Sequence, residues 1–198
     1  MEAVPDVLRG LEDAYDALAT GGFSTTRITL PPNDEALWLL VTLFDEWKAF
    51  EQAYSVPDDD QYRRYIAERL RLRRGRSEQW VDARTEALRS SYDELFRDYD
   101  ILALGTAPIT ARRFDELVIP WNGGEVATAD LHSVNTWAFN LTGQPVVSVP
   151  VGFDDEGLPI GLQLVARRDE DPLLLRVAER YEQVRGAFPF PDVEGLAA

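Results

Sequence analysis

The chain has 198 residues, 45% hydrophobic and 28% charged, the proportions of a soluble globular unit with apolar material for a sizeable core, so bulk disorder and a long coiled coil are excluded. Its 35 acidic residues against 20 basic ones leave a net charge of -15, which repels phosphate backbones and anionic lipid and excludes nucleic acid and the membrane surface as expected partners. With no cysteine and one histidine, disulfides, thiolate zinc, iron–sulfur clusters and a cysteine nucleophile are ruled out, and neither a metal nor a cofactor is expected.

The chain opens on Met1-Glu2-Ala3-Val4-Pro5-Asp6, acidic where a signal peptide needs a basic patch, and no run approaches the ~18 apolar residues of a membrane span; a cytoplasmic location is expected. From Asp6 to Ala19, Val7, Leu8, Leu11, Ala14, Tyr15 and Leu18 fall at the three-and-four spacing of a helical face, ended by Gly21-Gly22. Phe23 to Leu30, rich in Thr and Ile and stopped by Pro31-Pro32, reads as a short strand. Asn33 or Asp34 caps a predicted helix with Leu37, Leu40, Phe44, Trp47 and Tyr54, broken at Val56-Pro57-Asp58-Asp59-Asp60. An arginine-dense stretch, Arg63 to Arg76, leads to a further helix from Ser77 through Trp80, Val81, Leu88, Tyr92, Leu95 and Tyr99, so residues 34–99 are expected to be mainly helical.

Residues 100–185 change character. Asp100 to Gly105 is a short apolar run that reads as a buried strand, and residues 105–128, with their prolines and glycines, read as a long functional loop with one helical turn around Arg113. Val146 to Val151, the turn Asp154-Asp155-Glu156-Gly157 and alternating Ile160 to Ala166 form a predicted hairpin. Asp171 is the expected N-cap of a last helix, with Pro172 at its first position and Leu174, Val177, Ala178, Tyr181 and Val184 on its apolar stripe; the tail after Gly186 is expected to be loose. The pattern predicts an α/β fold, a mixed β-sheet flanked by helices, with residues 1–198 as one globular domain.

Catalytic chemistry is hard to find in these residues. His132 has no second histidine for a metal site, and it reads as a solvent or capping residue rather than the base of a triad. Asp154 and Asp155 read as solvated turn residues, and Arg63, Arg64, Arg69, Arg71, Arg73, Arg74 and Arg76 as a strip paired with nearby acids. Gly21-Gly22 and Gly123-Gly124 are isolated pairs that suit turns, not phosphate cradles.

The stretch Thr136-Trp137-Ala138-Phe139-Asn140-Leu141-Thr142-Gly143-Gln144-Pro145-Val146-Val147-Ser148-Val149-Pro150-Val151-Gly152, then Gly157-Leu158-Pro159-Ile160-Gly161-Leu162-Gln163-Leu164-Val165, closely resembles the C-terminal part of amidase signature enzymes. Asp100 to Pro108 resembles that family's aspartate-led strand, with Gly105 in place of the first proline of T-P-T-x-P, and the opening helix, strand, Leu30-Pro31 and Glu46 helix follow the family order. In this motif Asn140, Gly143, Pro145, Pro150, Gly152, Gly157, Pro159, Gly161 and Gln163 are structural: Gly143 and Pro145 turn a helix end into a strand, Pro150 and Gly152 end it, and Gly161 with Gln163 pairs the next.

The resemblance implies amide hydrolysis by a serine, a second serine in a cis peptide and a lysine, carried on a glycine- and serine-rich segment that this sequence lacks. The adjacent serines Ser90-Ser91 and the only lysine, Lys48, lie on predicted amphipathic helices, so no catalytic residue is assigned. The resemblance therefore implies the substrate-pocket-shaping, C-terminal part of an amide hydrolase, inactive alone, with Thr136 and Trp137 as substrate-binding candidates for a small amide and the N-terminal amidase part, or self-association through an open sheet edge, as partner. The alternative is a non-catalytic binding or assembly protein derived from that fold.

Overall fold

A computed structural model describes residues 3–31 and 78–189. Helix α1 spans Pro5–Thr20 and α2 Glu78–Asp98; strand β1 is Ile101–Gly105, β2 Val118–Trp121 and β3 Gly124–Ala127. Two short helices follow, α3 (Thr128–Ser133) and α4 (Trp137–Thr142), then strands β4 (Val146–Phe153) and β5 (Pro159–Ala166) and helix α5 (Asp171–Arg185). The strands form a sheet of order β1-β5-β4 and a separate β2-β3 hairpin. The α/β architecture with helices on the sheet is as expected, but every pairing among the described residues is antiparallel, so its mixed character is not seen there.

The alternation of β5 sorts the core. Ile160, Leu162, Leu164 and Ala166 face one side, where they meet Val7, Leu11, Ala14 and Leu18 of α1 and Leu174, Val177, Ala178 and Tyr181 of α5. Leu162 and Leu164 are wholly buried, each worth about 1.5–3 kcal/mol in area removed from water. On the opposite side Val165 and Leu102 meet Leu88, Tyr92 and Phe96 of α2 and Ala138 and Phe139 of α4, with the Tyr92 and Phe139 rings packed edge to face at 5.2 Å. Burial pushes the Tyr92 hydroxyl up to about 12.

Several expectations are corrected. Phe23–Leu30 is not a strand: Phe23 packs against the α1/α5 cluster and Ile28 and Leu30 against the α2/α4 cluster, and a run of strand-forming residues becomes a strand only where a partner completes its ladder. The 105–128 loop contains the β2-β3 hairpin, whose turn residues Asn122 (φ 50°) and Gly123 (φ 81°) both take the left-handed conformation. Strand β4 does not end at Pro150 and Gly152; it passes through an irregularity between them and runs on to Phe153. Asp171 is the first helical residue of α5 rather than its cap, which is Glu170 with no side-chain cap bond, and the Asp171 carboxylate sits in the first turn, where the helix dipole favours it. Nor is the start of the tail loose, since Phe188 stacks on Phe153 at 4.7 Å. The helix predicted around Leu37 to Tyr54, Glu46, Lys48 and the arginine strip lie outside the described residues.

Candidate functional site

On the α2/α4 side the sheet changes from apolar to polar along its length. The register places Leu102, Val165 and Val146 in one row, Leu104, Gln163 and Ser148 in the next, then Gly161 and Pro150, with Thr106 beside Gly161. Thr106 follows β1 and continues its ladder, donating its backbone N–H to the Gly161 carbonyl at 2.9 Å. Because Gly161 has no side chain, the Thr106 and Ser148 hydroxyls meet across it at 2.7 Å. A Cβ at Gly161 would lie 2.8 Å from Thr106 Oγ1 and 3.2 Å from Ser148 Oγ, so glycine is required by space rather than by backbone angle.

Behind the hydroxyl pair lies a buried amide network. Asn135 Nδ2 donates to the Gly105 carbonyl at 2.7 Å, and Gln163 Nε2 donates to the Asn135 carbonyl at 2.9 Å and more weakly to Gly105 at 3.3 Å. This ties the end of β1 and the α3–α4 connection to the centre of β5. Asn135 Oδ1 and Gln163 Oε1 are buried without a hydrogen-bond partner among the described residues.

The hydroxyl pair borders an open cleft of about 640 Å³ at the end of the sheet. Its walls are apolar, from Val7, Val149 and Ile160, and its rim carries Thr110, Arg112 and His132. His132, on the last turn of α3, donates Nε2–H to the Thr110 carbonyl at 3.3 Å. Asp154 closes the β4–β5 turn by accepting the N–H groups of Glu156 and Leu158. Burial works to raise its carboxyl, but the Leu158 amide, the Thr110 hydroxyl, the Glu156 amide and the Arg112 charge outweigh it and hold the group below the usual carboxylate range. Val4 N–H, at the start of α1, donates to the Pro108 carbonyl at 2.9 Å and so fixes the cleft loop to that helix. The site can hold a small molecule by hydroxyl contacts on an apolar wall, and among the described residues the two hydroxyls bond to each other and neither bonds to a base. Among the described residues no cluster of His, Asp or Glu could hold a metal ion, and no helix is long and apolar enough to cross a membrane.

The motif residues sit where they shape this site. Gly143 ends α4 at φ 79°, the Pro145 carbonyl accepts Ala166 N–H at the start of the β4-β5 ladder, Gly157 turns the hairpin at φ 81°, and Pro159 opens β5. Asn140 is exposed on α4. Thr136 is half-buried, its hydroxyl donating to the Ser133 carbonyl at 2.8 Å, and Trp137 packs against the α2/α4 cluster. These two follow Asn135 directly, while the cleft lining comes from Val7, the loop between Thr106 and Phe114, His132 and the β4-β5 hairpin. Sequence reasoning missed the partnership of Thr106 with Ser148 and the role of Asn135; the Thr-x-Pro at Thr106 to Pro108 was the available signal for the first.

Residues 2–175 match the family model described as Amidase. A glutamyl-tRNA(Gln) amidotransferase subunit from Brevibacillus brevis is 39% identical over 97 residues, which are 49% of this chain and 19% of that protein. A protein described as uncharacterized, in the nthA 5' region of Rhodococcus erythropolis, is 35% identical over 52% of this chain and 51% of its own length. Among solved structures, the corresponding amidotransferase subunit of Thermotoga maritima superposes with a TM-score of 0.71 at 24% identity, covering 98% of this chain and 43% of that one. A 6-aminohexanoate cyclic dimer hydrolase gives 0.67 at 23% identity, covering 93% and 42%. The chain thus spans about a fifth of the Brevibacillus relative by sequence and under half of these solved chains by fold.

Proposed function

Because the chain belongs to the amidase family, we propose that it is the C-terminal, pocket-shaping part of an amide hydrolase of the amidase signature type, acting with a complementary part that carries the serine nucleophile and its base. The observation that carries this reading is the cleft itself, bordered by the Thr106–Ser148 pair and walled by apolar side chains, with no nucleophile–base pair among the described residues. On this reading residues 1–198 are one partial domain, residues 106–137 govern which amide is accepted, and Thr136 and Trp137, held beside the Asn135 anchor, contribute to that choice. The two curated relatives differ in length, and the Rhodococcus one is half covered, so short relatives of this region exist alongside much longer ones.

The test is complementation. The purified chain should not hydrolyse simple amides, whereas mixing it with the N-terminal part of a related amidase should yield turnover. Thr136→Ala or Trp137→Ala should then shift the relative kcat/KM among amides by about 10-fold, the scale of a changed apolar pocket contact. Hydrolysis by the isolated chain that Lys48→Ala abolishes would refute the reading. A complex that forms without any turnover would favour the second reading, a binding or assembly protein on this fold, which the -15 net charge restricts to partners other than nucleic acid.

A further inference from the structure

The lining of the cleft is asymmetric in charge. Among the described residues it holds one charged side chain, Arg112, together with His132, and no acid, although acids outnumber basic residues 35 to 20 in the chain. The next residue, Arg113, is spent on Asp115 at 3.2 Å, whereas Arg112 enters no ion pair among the described residues. The acid whose ionisation Arg112 supports, Asp154, lies off the lining and accepts the amides of Glu156 and Leu158 and the Thr110 hydroxyl. Arg112 is exposed, and so, entirely, is the ring of Phe114 two residues further on. The loop thus presents an available guanidinium and an uncovered aromatic ring to an apolar cleft.

The hydroxyl pair supplies a different complement. A hydroxyl carries one proton and two lone pairs, so the bond between Thr106 and Ser148 leaves the pair a proton to donate and further lone pairs with which to accept. A primary amide needs that combination, because its carbonyl accepts and its NH2 group donates. The remaining wall, from Val7, Val149 and Ile160, suits an aliphatic body. A volume of about 640 Å³ falls within the roughly 300–1,000 Å³ of small-molecule sites.

We propose that the cleft binds small aliphatic amides that end in a carboxylate, with Arg112 holding the carboxylate, the Thr106–Ser148 pair the amide, and Phe114 covering the aliphatic body. The amide half of this inference rests on the proposed function, whereas the carboxylate half rests on Arg112. A guanidinium offers a planar fork that matches the two carboxylate oxygens, and charge-assisted hydrogen bonds of that kind are roughly twice as strong as neutral ones. The net charge of -15 opposes an arriving anion at long range, but at about 0.15 M salt it is screened beyond about 8 Å, and the direct contact survives.

An NMR titration of the backbone amides of the purified 198-residue chain tests this at about 0.15 M salt. The probes are adipamate, hexanamide and 6-aminohexanamide, amides of similar length that end in a carboxylate, a methyl group and an ammonium. Adipamate should shift the amides of Ala111 to Phe114 and of Ser148, and bind at least about 10-fold more tightly than either of the others. Arg112→Gln should bring the three within about 2-fold of one another, and Arg112→Lys, which keeps the charge without the fork, should restore part of the preference over 6-aminohexanamide. Phe114→Ala should weaken all three at least about 3-fold with their order kept. Equal affinities, binding by none of the three, shifts confined to residues away from the cleft, or a carboxylate preference that survives Arg112→Gln would overturn the proposal. Those results would leave the proposed function standing, because complementation reads turnover of simple amides. A preference that Arg112→Gln removes, found together with failed complementation, would instead refute the proposed function and keep the site.

Discussion

The two sides of the central sheet divide the work of the molecule. The side under α1 and α5 is apolar from Ile160 to Ala166 and buries Leu162, Leu164 and Ala166 completely. The side under α2 and α4 starts the same way, at Val165 and Leu102, then gives way to Gln163, Asn135 and the Thr106–Ser148 pair at the cleft. Among the described residues the first side leaves no buried side-chain polar atom without a partner, whereas the other keeps two buried oxygens without partners. Stability should therefore be concentrated on the first side and tunable chemistry on the second, since unsatisfied polar groups persist where something other than packing is being selected.

Leu162→Ala, on the apolar side, should produce the largest loss, about 3 kcal/mol by urea unfolding, because α1 and α5 both rest on that side chain and can collapse only partly around the gap. A loss below about 1 kcal/mol would erase the contrast between the sides. On the other side, alkaline pH should destabilise the fold through Tyr92. Its folded value, about 12, lies above the ordinary 10.0, so the folded state holds the proton more tightly. That stability is complete below pH 10, falls as pH rises, and should be down by about 2 kcal/mol at pH 12. Tyr92→Phe should flatten this part of the profile. Gly161→Ala should cost about 1–2 kcal/mol by forcing the two hydroxyls apart. Ser148→Ala should relieve part of that strain, so a double-mutant cycle that shows strict additivity would count against the hydroxyl contact. The smallest effect is expected at the surface pair Arg27–Glu12: Arg27→Ala should change stability by less than about 0.5 kcal/mol and therefore serves as a baseline for both sides.

The apolar side was largely legible in the sequence. The spacing Val7, Leu11, Ala14, Leu18 and the stripe Leu174, Val177, Ala178, Tyr181 are the residues that bury, and the Ile160–Ala166 alternation marks the strand they cover. Phe23–Leu30 was misread because composition reports what can enter a ladder, not whether a neighbour is there to complete one. The β2-β3 hairpin was legible but overlooked: Asn122-Gly123 is the pair that an inward-twisting two-residue turn needs, yet the surrounding prolines and glycines pointed to a loop. The polar side was mostly hidden. Asn135 and Gln163 are 28 positions apart, and only the fold reveals that one holds the other. Thr136 and Trp137 drew attention by proximity to the motif, while the neighbour that anchors the segment, Asn135, carried no local pattern.

The bond from Val4 to Pro108 gives the cleft a mechanical property. It ties the N-cap of α1 to the loop that lines the opening, where Val4 also packs against the Ile109, Ile119 and Leu131 cluster, and Val7 on the same helix forms part of the wall. Sliding α1 along its axis by one residue, about 1.5 Å, would carry wall and rim together, so the position of the opening follows the helix rather than the loop alone. A displacement along α1 would thus move wall and rim as one piece and leave the distance between them unchanged.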